Sequence, residues 1–254
     1  MIIVNGTAVT PESLLAEYPE DSVEQKILRK LAAGDTHFSY PSMDQLKFEL
    51  RLRKEIIAAS YELNRSGLGF EVFRETRCNP TYWKRLWDGG FALNDGANPA
   101  AAIADIFHNG SQYGTECATA MMIVYYGALL KVYGEALFNK TFPKIDLMNW
   151  HRIDRLLWEV GNMQRRDVYL PGDRRYFNNP DVNLLTPEWQ GENTIDLGNG
   201  MFYGHGVGIY KAEAIIQELN KNRVPNADES AALLDSAGRP DFIKLGNIYL
   251  RGGS

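Results

Sequence analysis

The chain has 254 residues, 44% hydrophobic and 23% charged, the balance of a globular protein. Its net charge of −5 carries no electrostatic footprint for nucleic acid. Two cysteines exclude a disulfide scaffold, and a Cys78–Cys117 bridge would consume the thiol singled out below, so both read as free thiols made in a reducing compartment. Ile2 to Val4 reads as a short strand ended by Asn5-Gly6, without the basic region or the apolar length of a signal peptide, so synthesis in the cytoplasm is expected. Pro11 to Leu31 is helical with an interruption near Pro19. Ser42 with Gln45 is a capping-box signature for a helix to about Asn64, stopped by Gly67, with Leu46, Leu50, Ile57 and Tyr61 on one face. Phe70–Phe73 and Thr81–Trp83 are short strand-like pieces around a loop holding Cys78. Asn98-Pro99 opens a helix closed by Asn109-Gly110.

From Ala118 to Leu130 the sequence is almost free of charge, too short for a membrane span but suited to a helix buried on all sides. Thr115 reads as its N-cap, Cys117 falls in its first turn, and it ends near Gly134. A helix N-terminus favours thiolate over thiol, so Cys117 is a candidate nucleophile; the alternative is a small, inert core thiol. An aromatic, loop-rich region with Trp150, His151, Trp158 and Tyr169 follows, and the turn Pro171-Gly172-Asp173 leads into Tyr176-Phe177. Glu192–Leu197 and Met201–Ile209 flank Gly198-Asn199-Gly200 and read as a hairpin. Lys211–Asn222 is an amphipathic helix with Ala214, Ile215 and Leu219 inward. Asn226–Ser236 is a weaker helix before a tail with Phe242, Leu245 and Tyr249, and the chain ends Gly252-Gly253-Ser254. Helices come first and strands second, which indicates α+β, and the lack of a linker indicates one catalytic domain over residues 1–254.

His205 lies in a strand whose other face is glycine: 204, 206 and 208. Glycine inside a strand marks close approach of another backbone or a ligand. If the hairpin has a two-residue turn, Glu192 and His205 share a face, opposite or diagonal to one another; a three-residue loop would separate them. Alone, such a pair is a cross-strand surface contact. Beside Cys117, it completes the cysteine, histidine and carboxylate of a nucleophilic acyl-transfer site. Glu116 and Asn193, adjacent to these residues, are supporting candidates, Glu116 otherwise serving the helix dipole. His37 reads as surface and His108 as a cation at a helix end. His151 either lines a site or packs in the core. There is no Cys-x-x-Cys, no His pair at i, i+4, and no glycine-rich nucleotide motif, so neither a metal nor a cofactor is expected.

The pieces Glu116-Cys117-Ala118-Thr119-Ala120, Tyr125-Tyr126, Trp150-His151, Asn179-Pro180, Gly191-Glu192-Asn193 and His205-Gly206 with Gly208-Ile209, taken in this order, are specific together. With Met1–Val4, Phe48–Leu50, Leu52-Arg53 and Thr81–Trp83, they make the chain resemble, over nearly its whole length, the calcium-independent spore coat transglutaminases of spore-forming bacilli. The resemblance implies a compact fold of NlpC/P60 or papain-like thiol-enzyme type. In it, a central helix carrying the cysteine packs on an antiparallel sheet and is surrounded by helices. It implies Cys117 as nucleophile, with Glu192 and His205 sharing its site.

The implied reaction joins a glutamine donor to a lysine acceptor through a Cys thioester, releasing ammonia, with spore coat proteins as substrates and the coat as location. Neither nucleic acid nor membrane is implied as a partner. The rival on the same scaffold is a thiol amidase or peptidase that gives the thioester to water; a second is a non-catalytic coat component. A transferase must keep water out, and Phe70, Trp150, Trp189, Tyr169 and Tyr176, with His151, are the candidate substrate-tunnel residues.

Overall fold

The computed structural model of the chain describes residues 1–252; of the terminal Gly252-Gly253-Ser254, the last two residues lie outside the described residues. The axis of the molecule is the helix Cys117–Thr141, whose Met121, Met122, Ile123, Val124 and Tyr126 are wholly buried. Apolar residues all round leave it no solvent face, so it must be enclosed. It is longer than the uncharged stretch: Gly134 adopts φ 72°, ψ 164° and kinks the helix, and a further helical segment runs on to Thr141. By length and composition this helix would suit a membrane span, but 78% of its most apolar window is covered by protein.

The covering layers follow from the neighbouring sequence. Helix Met43–Arg65 lies along the axis, opened by the Ser42 hydroxyl, which accepts from the backbone N–H of Gln45 at 3.2 Å. The reciprocal half of that capping box is not formed. The Gln45 amide instead donates to Asn247 at 2.7 Å, tying this helix to the C-terminal helix Phe242–Gly252 where a tail was expected. Helix Pro99–His108, capped by Asn98, covers another side. The remaining side is a five-stranded antiparallel sheet in the order Gly208–Lys211, Met201–Gly204, Gly191–Asp196, Arg174–Asn178, Ala232–Leu233. Its middle strand lies on the central helix. Ala232–Leu233 is a strand where a weak helix over 226–236 was expected.

Smaller sheets close the ends. Ile2–Val4 pairs antiparallel with Thr7–Val9 and parallel with Phe38–Tyr40. Trp83–Arg85, Phe91–Leu93 and Asp146–Leu147 form a second three-stranded sheet. Gly69–Phe70 pairs in parallel with Gly114–Thr115, so the chain enters the central helix directly from a strand. The result is an α+β molecule of the papain-like kind.

A buried ionic cluster pins the long helix to the sheet. The Arg53 guanidinium is wholly buried, donates to Glu49 at 2.7 Å and to Asp173 at 2.9 Å, and lies 4.4 Å from the Phe242 ring centroid. Asp173 also accepts from Arg239 and from the backbone N–H of Leu170. Removing one member of such a cluster leaves the other charge buried and uncompensated. Asp173→Ala is therefore expected to lower stability by about 3–5 kcal/mol, read from the midpoint of urea denaturation. A loss below about 1 kcal/mol, the range of surface pairs, would show that the cluster is solvated in solution.

Candidate active site

Cys117 is the first residue of the central helix, and the N-cap is Glu116 rather than Thr115. Thr115 is held in the short strand by pairing with Phe70, which delays the helix start by one residue. The Glu116 carboxylate accepts from the N–H groups of Ala118 at 2.5 Å and Thr119 at 2.9 Å, and from the Thr119 hydroxyl. That hydroxyl in turn accepts from the backbone N–H of Asn149 at 2.8 Å, which fixes the segment carrying Trp150. The positive end of the helix is thus already occupied by a carboxylate.

The Cys117 thiol opens onto a cavity of about 590 Å³. Phe70, Val72, Phe73, Trp150 and Met163 give it an apolar wall, and Tyr176, Arg174 and Asn193 a polar one. The sulfur accepts a hydrogen bond from Asn193 Nδ2 at 3.3 Å. Asn193 Oδ1 accepts from Arg174, so the guanidinium dictates which end of the amide faces the sulfur. Arg174 is 3% exposed, lies 4.1 Å from the Trp150 ring centroid, and leaves its Nε without a partner among the described residues. Burial lowers its pKa to about 10.

Glu192 is buried beside the thiol, and its Oε1 has no hydrogen-bond partner among the described residues. Burial first, then the charge of Glu116, holds its carboxyl well above the ordinary glutamate range. Burial likewise pushes the Cys117 thiol up, reinforced by the charges of Glu192 and Glu116 and opposed by the two Asn193 hydrogen bonds. The thiolate favoured on helix-dipole grounds is therefore disfavoured in the folded protein, chiefly because the thiol is buried, with the Glu192 and Glu116 carboxylates adding to it.

The hairpin places Glu192 differently from the two-residue-turn expectation. Asp196 pairs with Phe202, Ile195 with Tyr203 and Thr194 with Gly204, and Leu197 donates to Met201, so Gly198-Asn199-Gly200 is a three-residue loop. Continuing this register sets His205 against Asn193, not Glu192, which removes the argument that put Glu192 and His205 on one face. Glu192 instead shares the face of Gly204, where a β-carbon would fall 2.8 Å from its Oε1. The expected strand Met201–Ile209 is broken after Gly204 and resumes at Gly208, with Gly206 and Gly208 at φ of 106° and 93°.

His205 sits in the turn so formed. Its Nε2 donates to the Gly69 carbonyl at 3.0 Å, and its ring lies 6.0 Å from that of Phe70. Burial lowers its pKa to about 4, opposed by its backbone hydrogen bonds to Gly69 and Thr115. It fastens the sheet to the paired short strands Gly69–Phe70 and Gly114–Thr115, the second of which leads into Glu116 and Cys117, and, like Glu192, it is absent from the lining of the cysteine's cavity. Of the aromatic candidates, Phe70, Trp150 and Tyr176 line that cavity. Trp189 packs on the cluster around Phe177 and Phe202, Tyr169 donates to Asp235 and stacks on Arg175, and His151 is exposed. Cys78 is half-buried and pushed up to about 11 by burial. Sequence reasoning missed Arg174, Thr119 and Asn149. Thr119, three residues after Glu116, carried a signal as the partner of a capping carboxylate; Arg174, one of two adjacent arginines in a strand, carried none.

Residues 1–249 match the family model described as protein-glutamine gamma-glutamyltransferase. The chain belongs to that family. It is 46% identical over 243 residues to the protein-glutamine gamma-glutamyltransferase of Bacillus cereus strain G9842, spanning 94% of this chain and 86% of that one. It is 45% identical to the Bacillus anthracis strain CDC 684 relative over the same shares. The transglutaminase from Geobacillus stearothermophilus without its C-terminal extension superposes with a TM-score of 0.78 at 44% identity, covering 82% of this chain and 99% of that chain. The γ-glutamyltransferase is therefore an acyltransferase acting on protein glutamine.

Two consequences can be measured on this γ-glutamyltransferase. Iodoacetamide alkylation of Cys117 should have a midpoint above that of an ordinary thiol, and Glu192→Gln should lower it, because a charge that raises the thiol is removed. A wild-type midpoint near 7 would show the helix dipole dominating. Gly204→Ala should displace the Glu192 carboxylate, costing more activity than stability when turnover and thermal melting are compared. Unchanged turnover would mean that the carboxylate position is immaterial.

Proposed function

We propose that Cys117 is the nucleophile and Glu192 its proton acceptor, in a reaction carried out by the whole chain as one catalytic unit. The observation that carries this is a buried carboxylate, with Oε1 free of hydrogen-bond partners among the described residues, near enough to the Cys117 thiol for its charge to raise it. As the Sγ–C bond forms with the glutamine γ-carboxamide, the thiol proton passes to Glu192. Glu192 then returns that proton to the departing nitrogen, and ammonia leaves behind a thioester. A lysine ε-amine attacks the thioester, gives its proton to Glu192, and expels the sulfur, which recovers the proton. Atoms balance at each step, and Glu192 ends as it began. A carboxyl raised by burial is a better proton partner for a thiol than one near 4.3.

Asn193, with its amide oriented by Arg174, supports the sulfur. Glu116 acts through the helix end and as a charge that keeps Glu192 basic. His205 holds the geometry and exchanges no proton, since its ring is neutral and committed to Gly69. Transfer in preference to hydrolysis is supported by Phe70, Trp150 and Tyr176 around the thiol, which limit water near the thioester. Spore coat proteins as substrates and the coat as location are supported by the motif resemblance and by the Bacillus relatives. Mass spectrometry of ε-(γ-glutamyl)lysine in coat hydrolysates, with and without the gene in the host, tests this; equal amounts would place the enzyme elsewhere.

Amine incorporation tests the site. Cys117→Ala should abolish it, and Glu192→Gln should cost at least ~10²-fold. His205→Ala should cost about tenfold, within the range of a lost positioning contact rather than a lost base. Catalysis requires Glu192 ionised, and its pKa is raised, so activity should fall with decreasing pH through a midpoint well above the ordinary glutamate value of 4.5. An acid limb at or below that value, or retained activity in Glu192→Gln, would remove Glu192 from the proton path.

A further inference from the structure

The cavity mouth is flanked by large apolar side chains that stand exposed among the described residues. On one side, Phe73 lines the cavity and is 41% exposed. The turn 86–89 lies directly on it: Gly89 is so close that a β-carbon there would fall 2.1 Å from the Phe73 carbonyl oxygen. Arg85 donates to that same carbonyl at 3.0 Å, and Asp88 pairs with Arg152, two residues from the cavity-lining Trp150. This turn holds Trp87 out, 92% exposed. On the other side, Pro187 and Glu188 are exposed and line the cavity, and just before them Leu184 and Leu185 are 84% and 88% exposed.

Single exposed hydrophobes need no explanation, but several around the mouth of one cavity mark an interaction site. Trp87 and the leucine pair contribute nothing to the core. The turn is fixed by Arg85 and the Asp88–Arg152 pair, and the loop by the Leu185 N–H donating to Asn183 Oδ1 at 3.0 Å and the Asn183 N–H to the Asn222 carbonyl at 2.8 Å. We infer that Trp87 with Phe73, and Leu184 with Leu185, form a two-sided apolar cradle for the substrate polypeptide, selecting glutamines flanked by large apolar residues. The inference rests on the reading of Cys117 as nucleophile.

The glutamine donor is favoured over the lysine acceptor by reach. The γ-carboxamide carbon is three bonds from its own Cα, whereas a lysine nitrogen is five. With the thiol inside the cavity, the donor backbone must come down to the mouth, so its neighbouring side chains meet the rim. A lysine can present its amine from farther out.

The test uses paired short peptides, identical except for leucine or serine on both sides of one glutamine, with a fluorescent primary amine as acceptor. A blocked glutamine without neighbours is the control donor. The wild type should prefer the leucine peptide by about tenfold in kcat/KM, the scale of one well-covered apolar side chain, mainly through KM. Trp87→Ser and the double variant Leu184→Ser with Leu185→Ser should each pull that ratio toward one, with turnover of the control donor unchanged. These side chains are exposed, so both variants should fold. No leucine preference in the wild type, or a ratio unaltered in both variants, would overturn the cradle; a fall in only one would overturn its two-sidedness. Loss of turnover of the control donor by the wild type, or its persistence in Cys117→Ala, would instead strike the nucleophile assignment.

Discussion

The carboxylate of Glu116 on the free N–H groups of the central helix is the contact on which the site depends. A helix enclosed by protein cannot satisfy its first donors with water. Glutamate is not among the favoured N-caps, yet here its side chain reaches both Ala118 and Thr119. The charge that completes the helix adds to the burial and the Glu192 charge that raise the Cys117 thiol. In the reading proposed above, activation comes from a second group, the buried Glu192. Burial first, then the charge of Glu116, pushes Glu192 toward the range in which it can exchange a proton with sulfur.

That arrangement needs the sheet and the helix start to keep register, and His205 supplies the fastening. It joins the end of strand Met201–Gly204 to Gly69 and Thr115, in two paired short strands of which the second carries the chain into the helix. Gly204 leaves room for the Glu192 carboxylate. Arg174 completes the site from the next strand by orienting the Asn193 amide toward the sulfur.

What the sequence made legible was local and periodic. The uncharged run after Cys117 has only one stable placement, Ser42 and Asn98 are caps by chemistry, and the Gly-rich turn announces a hairpin. Register was not legible, because Gly198-Asn199-Gly200 serves a two-residue or a three-residue loop equally well and the difference moves Glu192 off the face of His205. The glycines at 204, 206 and 208 were read as one smooth strand face. In fact one makes room for a carboxylate and two supply positive φ, and sequence does not separate these uses of a missing side chain. Thr115 looked the better cap, and the strand pairing that moves the helix start to Cys117 is tertiary. Arg174 in a strand reads as solvent-facing until the fold closes over it. The aromatic candidates divided on the same ground: Phe70, Trp150 and Tyr176 reach the cavity, while Trp189 fills a satellite core and Tyr169 covers Arg175.

With Cys117 as the proposed nucleophile and Glu192 as its proposed proton partner, a thiol held protonated by its surroundings suits amide chemistry. A low-pKa thiolate is abundant but a weaker nucleophile and a better leaving group. In the tetrahedral intermediate formed from a carboxamide, sulfur and nitrogen compete to depart, and a good sulfur leaving group returns the intermediate to substrate. Raising the thiol pKa makes the sulfur the poorer leaving group. A protonated Glu192 at the same moment makes nitrogen the better one by supplying the proton it needs as ammonia. When a lysine amine attacks the thioester, Glu192 is ionised and takes the amine's proton, so the nitrogen becomes an amide and the sulfur must leave. In the proposed mechanism one carboxyl group of raised pKa, alternating between its two states, thus drives both halves of the exchange forward. An imidazole fixed neutral at Gly69 has no such second state to offer at neutral pH.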